Sequence, residues 1–100
     1  MKVFISQPMK EKSNDEIKQE REKIVEALKN TFYEDIEILD SFFENAPHDA
    51  KPLWYLGEAL KLLSTADIAV FAKGWHEARG CKIEHLCAEE YGVQIVKLDY

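Results

Sequence analysis

Long apolar runs, clustered positive charges, paired cysteine motifs and internal repeats are all missing from this sequence. No stretch approaches the roughly 20 consecutive apolar residues that a membrane-spanning helix requires. Met1-Lys2-Val3-Phe4-Ile5 is far too short for a signal peptide, so none is expected, and it reads instead as a strand. Thirteen Lys and Arg stand against nineteen Asp and Glu, for a net charge of −6. That balance argues against nucleic-acid backbones and anionic membranes as partners, because both need clustered cations. Small polar ligands remain compatible with it, since a single loop can still be locally positive. The only cysteines, Cys81 and Cys87, lie six apart on one expected helix. About 9 Å of axial rise separates them, too far for a bond across that helix. They are expected as reduced thiols in a cytoplasmic protein. With no linker or low-complexity segment, residues 1–100 are expected to form one domain with a modest core.

What is present is an alternation of apolar strands and amphipathic helices. Lys2 to Ile5 is a doubly buried strand ending in the loop Ser6-Gln7-Pro8-Met9. Ser13 and Glu16 form a capping box for a helix running to about Asn30, with Ile17, Ile24, Val25 and Leu28 on one face. Ile36 to Leu39 is a shorter second strand, nearer an edge. Asp40 to Lys51, with Phe42 and Phe43, reads as an ordered loop in which His48 is solvated. Pro52 opens the next helix. Leu53, Leu56, Leu60 and Leu63 mark its core face, whereas Trp54, Tyr55 and Leu62 surround Glu58 on the other side. A second apolar face implies a subunit interface, a pocket wall, or both. Asp67 precedes the third strand, Ile68 to Ala72, and so takes a structural role at the far end of the sheet. Gly74 breaks that strand, a helix runs from near Glu77 to Tyr91, Gly92 stops it, and Val93 to Lys97 is the last strand. The order β-α-β-α-β-α-β predicts a three-layer α/β fold with helices on both faces of a parallel sheet ordered 2-1-3-4. The ligand cleft then lies between the first and third strands, outside their carboxyl ends.

One residue contradicts the pattern of its own helix. At 100° per residue, Glu84 shares a face with Gly80, Cys81, Cys87, Ala88 and Tyr91, while Lys82, His85 and Glu89 mark the wet side. An unpaired carboxylate buried there costs several kcal/mol or shifts its pKa upward. Two readings fit. In one, Glu84 is structural and pairs with Arg79 or a lysine. In the other, the carboxylate is aimed into the cleft, with Gly80 one turn earlier leaving room for substrate. A third, metal-binding reading would use His76, Cys81, Glu84, His85 and Cys87, since Cys81 and His85 are spaced i, i+4. No paired CxxC or HxxxH supports it, so no metal is expected.

Gln7-Pro8-Met9 after an apolar strand, the Tyr55 region, Ala66-Asp67, Gly74-Trp75, and Gly80-Cys81 shortly before Glu84 make a pattern spread over the whole chain. It resembles the nucleoside 2-deoxyribosyltransferase-like superfamily, in particular a subgroup of small bacterial and phage proteins. The resemblance implies a flavodoxin-like or Rossmann-like fold and an N-glycosidase or deoxyribosyltransferase activity with no cofactor. By position, Glu84 would be the nucleophile attacking C1′ of a nucleoside or nucleotide. Glu58 would be the second acid, orienting the nucleophile or protonating the departing base. Ser6, Gln7, Pro8, Met9, Gly74, Trp75, Gly80 and Cys81 would line the pocket, with Trp75 stacking on the base or sugar. The helix N-terminus would receive a hydroxyl or phosphate. The chain departs from the transferases at Ala78, where they carry an Asp followed by Ser or Thr that holds the sugar hydroxyls. The adjacent Arg79 then either meets a phosphate or pairs with Glu77. A non-catalytic nucleotide-binding or regulatory module on the same fold is the alternative function. Family members often complete their pockets with a neighbouring subunit. This habit, together with the Trp54 helix and the outward Leu86, leads to the expectation of a homodimer or larger homo-oligomer.

Overall fold

The computed structural model describes residues 1–32 and 35–99. Its elements are β1 (Lys2–Ser6), α1 (Asn14–Thr31), β2 (Glu37–Ile38), α2 (Pro52–Leu63), β3 (Ile68–Phe71), a 3-10 turn (Trp75–Glu77), α3 (Arg79–Glu90) and β4 (Gln94–Lys97). All strand pairs are parallel and the order is β2-β1-β3-β4, as the alternation of elements predicts. The architecture is α/β and flavodoxin-like.

The two central strands are in register from Val3↔Ile68 to Ser6↔Phe71. Because strand side chains alternate, this register sorts the core into two layers. Val3, Ile5, Ile68 and Val70 pack with Ile24 and Leu28 of α1. Phe4, Ala69 and Phe71 pack on the other face with Ala59 and Leu63 of α2 and Ala88 of α3. The capping box is formed: Ser13 Oγ accepts from Glu16 N–H at 3.1 Å, and Glu16 Oε1 accepts from Ser13 N–H at 3.3 Å. Asp67 accepts the Lys2 N–H at 2.7 Å, which satisfies a backbone donor at the start of β1. That is the structural role expected of it.

Several boundaries differ from the pattern reading. β2 pairs over only two residues, although Leu39 beyond it is still buried and bonds to Val3 O at 2.9 Å. Leu53, expected on the core face, is 75% exposed, and the buried residues of α2, Ala59 and Leu63, both lie in its second half. Tyr91 is 86% exposed; it follows the last helical residue with φ −103° and ψ 11°, so its direction no longer follows the helical wheel. Gly74 adopts φ +85°, a left-handed conformation that side chains disfavour, and this lets the chain leave β3 in a tight turn.

Candidate active site

Alternation along β1 sends neighbouring residues to opposite layers at the carboxyl end of the sheet. Ser6 follows Phe4 towards α3, and Gln7 turns to α1. Both side chains are buried. Ser6 Oγ donates to Glu84 Oε1 at 2.6 Å, so the odd carboxylate on α3 and the end of β1 form one unit. Glu84 retains 9% relative exposure. Burial pushes its pKa above the ordinary carboxylate value, while the Ser6 hydrogen bond and the positive charge of Arg21 pull it back. Its hydrogen-bond partner is therefore a hydroxyl, not Arg79 or a lysine. The ion pairs among the described residues include neither Glu84 nor Arg79, and Glu77 instead meets His76 at 3.5 Å.

Cys81 lies one turn nearer the start of α3 and is buried against the same Ser6. Burial pushes its pKa up to about 11, and Glu84 adds to the shift, against the Ser6 contact and the charge of Lys12. The thiol therefore stays protonated at neutral pH and is no nucleophile there. Gly80 precedes Glu84 by one turn on the same face, and a Cβ built at Gly80 would meet nothing within 4 Å. Open space thus lies beside Gly80, one turn before Glu84. Ala78, the N-cap of α3, offers no side-chain cap, so no capping side chain covers the amides of the first turn. Pro8 Cγ sits 3.7 Å from where a Gly74 Cβ would be, which joins the loop after β1 to the turn after β3. Met9, half-buried, closes that loop through a bond from Lys12 N–H to its carbonyl at 3.3 Å.

Two expected members are engaged elsewhere. Glu58 pairs with Lys61 at 2.8 Å on the surface of α2. The Trp75 ring stacks on His85, with centroids 4.1 Å apart and planes 15° apart, and Lys97 Nζ lies 5.2 Å from its centroid. His85, assigned to the wet side, is therefore half-buried between Trp75 and Phe71, and its Nε2 has no hydrogen-bond partner among the described residues. The reason is the 3-10 turn, which folds Trp75 back over α3. Among the described residues, no three His, Cys, Asp or Glu side chains gather closely enough to hold a metal ion.

The pattern reading missed a third participant. Arg21 of α1 donates from Nε to Gln7 Oε1 at 3.2 Å and from Nη2 to Ser41 Oγ at 2.9 Å and to Ile5 O at 3.5 Å. Ser41 in turn donates to Ile5 O at 3.0 Å, and Gln7 Nε2 donates to Ile17 O at 2.9 Å. Burial lowers the Arg21 pKa, opposed by the charges of Asp40 and Glu84. The signal was available: Arg21 sits in the stripe of Ile17, Ile24 and Leu28, where an aliphatic residue would be ordinary. Beside this network, Asp40, Phe42, Phe43, Glu44, Asn45, Ala46 and Trp54 line a hollow of about 170 Å³. A larger one, about 410 Å³, lies along α1 from Arg21 to Asn30. Glu84 lines neither.

No family model, curated protein or solved structure matches the chain.

Proposed function

We propose that this protein cleaves the N-glycosidic bond of a nucleoside or nucleotide, with Glu84 as the nucleophile, as the resemblance to nucleoside 2-deoxyribosyltransferase-like proteins implies. The observation that carries this reading is the buried Glu84 carboxylate, held by Ser6 at 2.6 Å at the carboxyl end of a parallel sheet. The Ser6 bond engages Oε1, leaving Oε2 to form the bond to C1′ as the C1′–N bond breaks and its electron pair leaves with the base. Water, or a second base, then displaces the carboxylate and restores it. Glu58 is bound to Lys61 within the chain, so the departing base takes its proton from water or from an acid outside this cluster. The uncapped start of α3 and the exposed Arg79 suit a sugar hydroxyl or a phosphate. Leu53, Tyr55 and Leu86, all exposed on α2 and α3, suit the expected contact with a second copy.

Incubation with a panel of ribo- and deoxyribonucleosides and their 5′-monophosphates, followed by chromatography for free base, tests the reading. Time-dependent release from one substrate class is the expected result. The low exposure of Glu84 and the absence of the usual polar residue at Ala78 favour a second reading, a nucleotide-binding module without turnover. Saturable binding with no base released over long incubation would decide for that one.

Gly80→Ala separates ligand space from helix stability. The added methyl enters open space at a position with ordinary φ, so it should stabilise α3 by about 0.5–1 kcal/mol. If substrate passes over this turn, kcat/KM falls while the melting temperature rises. Unchanged activity would remove Gly80 from the substrate path.

A further inference from the structure

A half-buried cation with neutral hydrogen-bond partners stands at the centre of the carboxyl-end network. Arg21 interrupts the apolar stripe of α1, yet among the described residues its guanidinium bonds only to an amide oxygen, a hydroxyl and a backbone carbonyl. The ion pairs among the described residues give it no carboxylate partner within 4.0 Å. The three groups it holds come from two strand exits: Ile5 and Gln7 flank Ser6 at the end of β1, and Ser41 follows β2. Ser6 is the residue that bonds Glu84. A rigid guanidinium fork fixes its acceptors in a set planar geometry, whereas an ammonium offers three rotatable donors on a flexible stem.

We propose that Arg21 is the positioning residue of the Glu84 site: it locks the residues on either side of Ser6 and supplies positive charge to the Glu84 carboxylate from across the end of β1. This rests on the reading of Glu84 as the nucleophile for its effect on rate, but not for its effect on the carboxylate itself. The charged and titratable groups around the pair are Arg21 on α1, Asp40 after β2, Cys81 on α3 and Lys12 in the loop before α1. Of these, Arg21 is the cation whose field acts directly on Glu84, opposing the burial that favours its protonated form. Its second effect is geometric. A displacement of Ser6 by about 1 Å would misalign the carboxylate enough to lower the rate by about 100-fold.

The test compares Arg21→Met, whose side chain suits the stripe, with Arg21→Lys, which keeps the charge without the fork. Carbon-13 NMR of the full chain follows the Glu84 carboxyl through a pH titration, with Glu84→Gln identifying the signal. In Arg21→Met the Glu84 midpoint moves to higher pH, and kcat falls by about 10- to 100-fold with little change in KM. In Arg21→Lys the midpoint stays near that of the wild type while kcat still falls. A residue that merely supported the fold would lower the melting temperature and leave the midpoint in place. An unmoved midpoint in folded Arg21→Met overturns the electrostatic role. Wild-type kcat in Arg21→Lys overturns the positioning role. Should the wild type release no base, the titration arm still reads the charge effect, so failure of the activity and failure of this inference are told apart. Should Arg21→Met not fold, Arg21→Lys carries the test: a midpoint far from wild type despite the retained charge overturns the inference.

Discussion

Glu84→Gln lowers the release of free base by at least about 100-fold and makes the folded protein more stable at neutral pH. The loss follows from the chemistry: an amide keeps the shape and the Ser6 hydrogen bond but is no nucleophile, and a single acid–base or nucleophilic group is commonly worth about 10²–10⁴-fold. The gain follows from linkage. Burial raises the folded-state pKa of Glu84 above its ordinary 4.5, so between these two values the folded state binds more protons than the unfolded one. Stability from this group is therefore greatest below the unfolded value and is lost as pH rises through the window up to the folded one. Glutamine carries no such term. The melting-temperature advantage of Glu84→Gln is thus largest at neutral pH and disappears as pH falls below about 4.5. Thermal denaturation of both proteins from acidic to neutral pH measures it. Full activity in the variant would end the assignment of Glu84 as nucleophile, and a pH-independent stability difference would show that Glu84 is not held in a desolvated place.

Phe71→Ala is the second large effect, and it acts on the scaffold rather than the chemistry. Phe71 is fully buried in β3, and its ring lies 5.6 Å from the centroid of Trp75 and 5.0 Å from that of His85. Removing it opens a cavity at the junction of the sheet, the 3-10 turn and α3. Such truncations cost about 3–5 kcal/mol, a large share of the roughly 5–15 kcal/mol that holds a domain together. Urea denaturation should show a lowered midpoint with little change in slope, and near-ultraviolet circular dichroism should weaken as the Trp75–His85 stack loosens. Phe71→Leu refills most of the space and should lose considerably less. An unfolding free energy within about 1 kcal/mol of wild type in Phe71→Ala would mean that this junction is not part of the core.

The position of Glu84 was legible because a carboxylate in the middle of a small, apolar helix face violates the period of that face. The same test applied to α1 exposes Arg21, but a stripe read from its aliphatic members alone passes over a cation lying between them. Trp75 and His85 could not be placed that way. Their stack depends on a turn of left-handed Gly74 and a 3-10 segment that carry one aromatic ring back over the next helix. Glu58 was assigned by resemblance, and its partner, Lys61, is a local one that the i, i+3 spacing allows.

Periodicity and capping signals are local, so the sequence alone was enough to predict the strands and helices, their order, and the parallel 2-1-3-4 sheet that the structure shows. Which side chains meet is a matter of distant segments crossing. Ser6 and Glu84 are 78 residues apart, and Arg21 and Ser41 are 20 apart. Their contacts exist because adjacent residues of β1 point into opposite layers, and no period within either segment encodes that encounter.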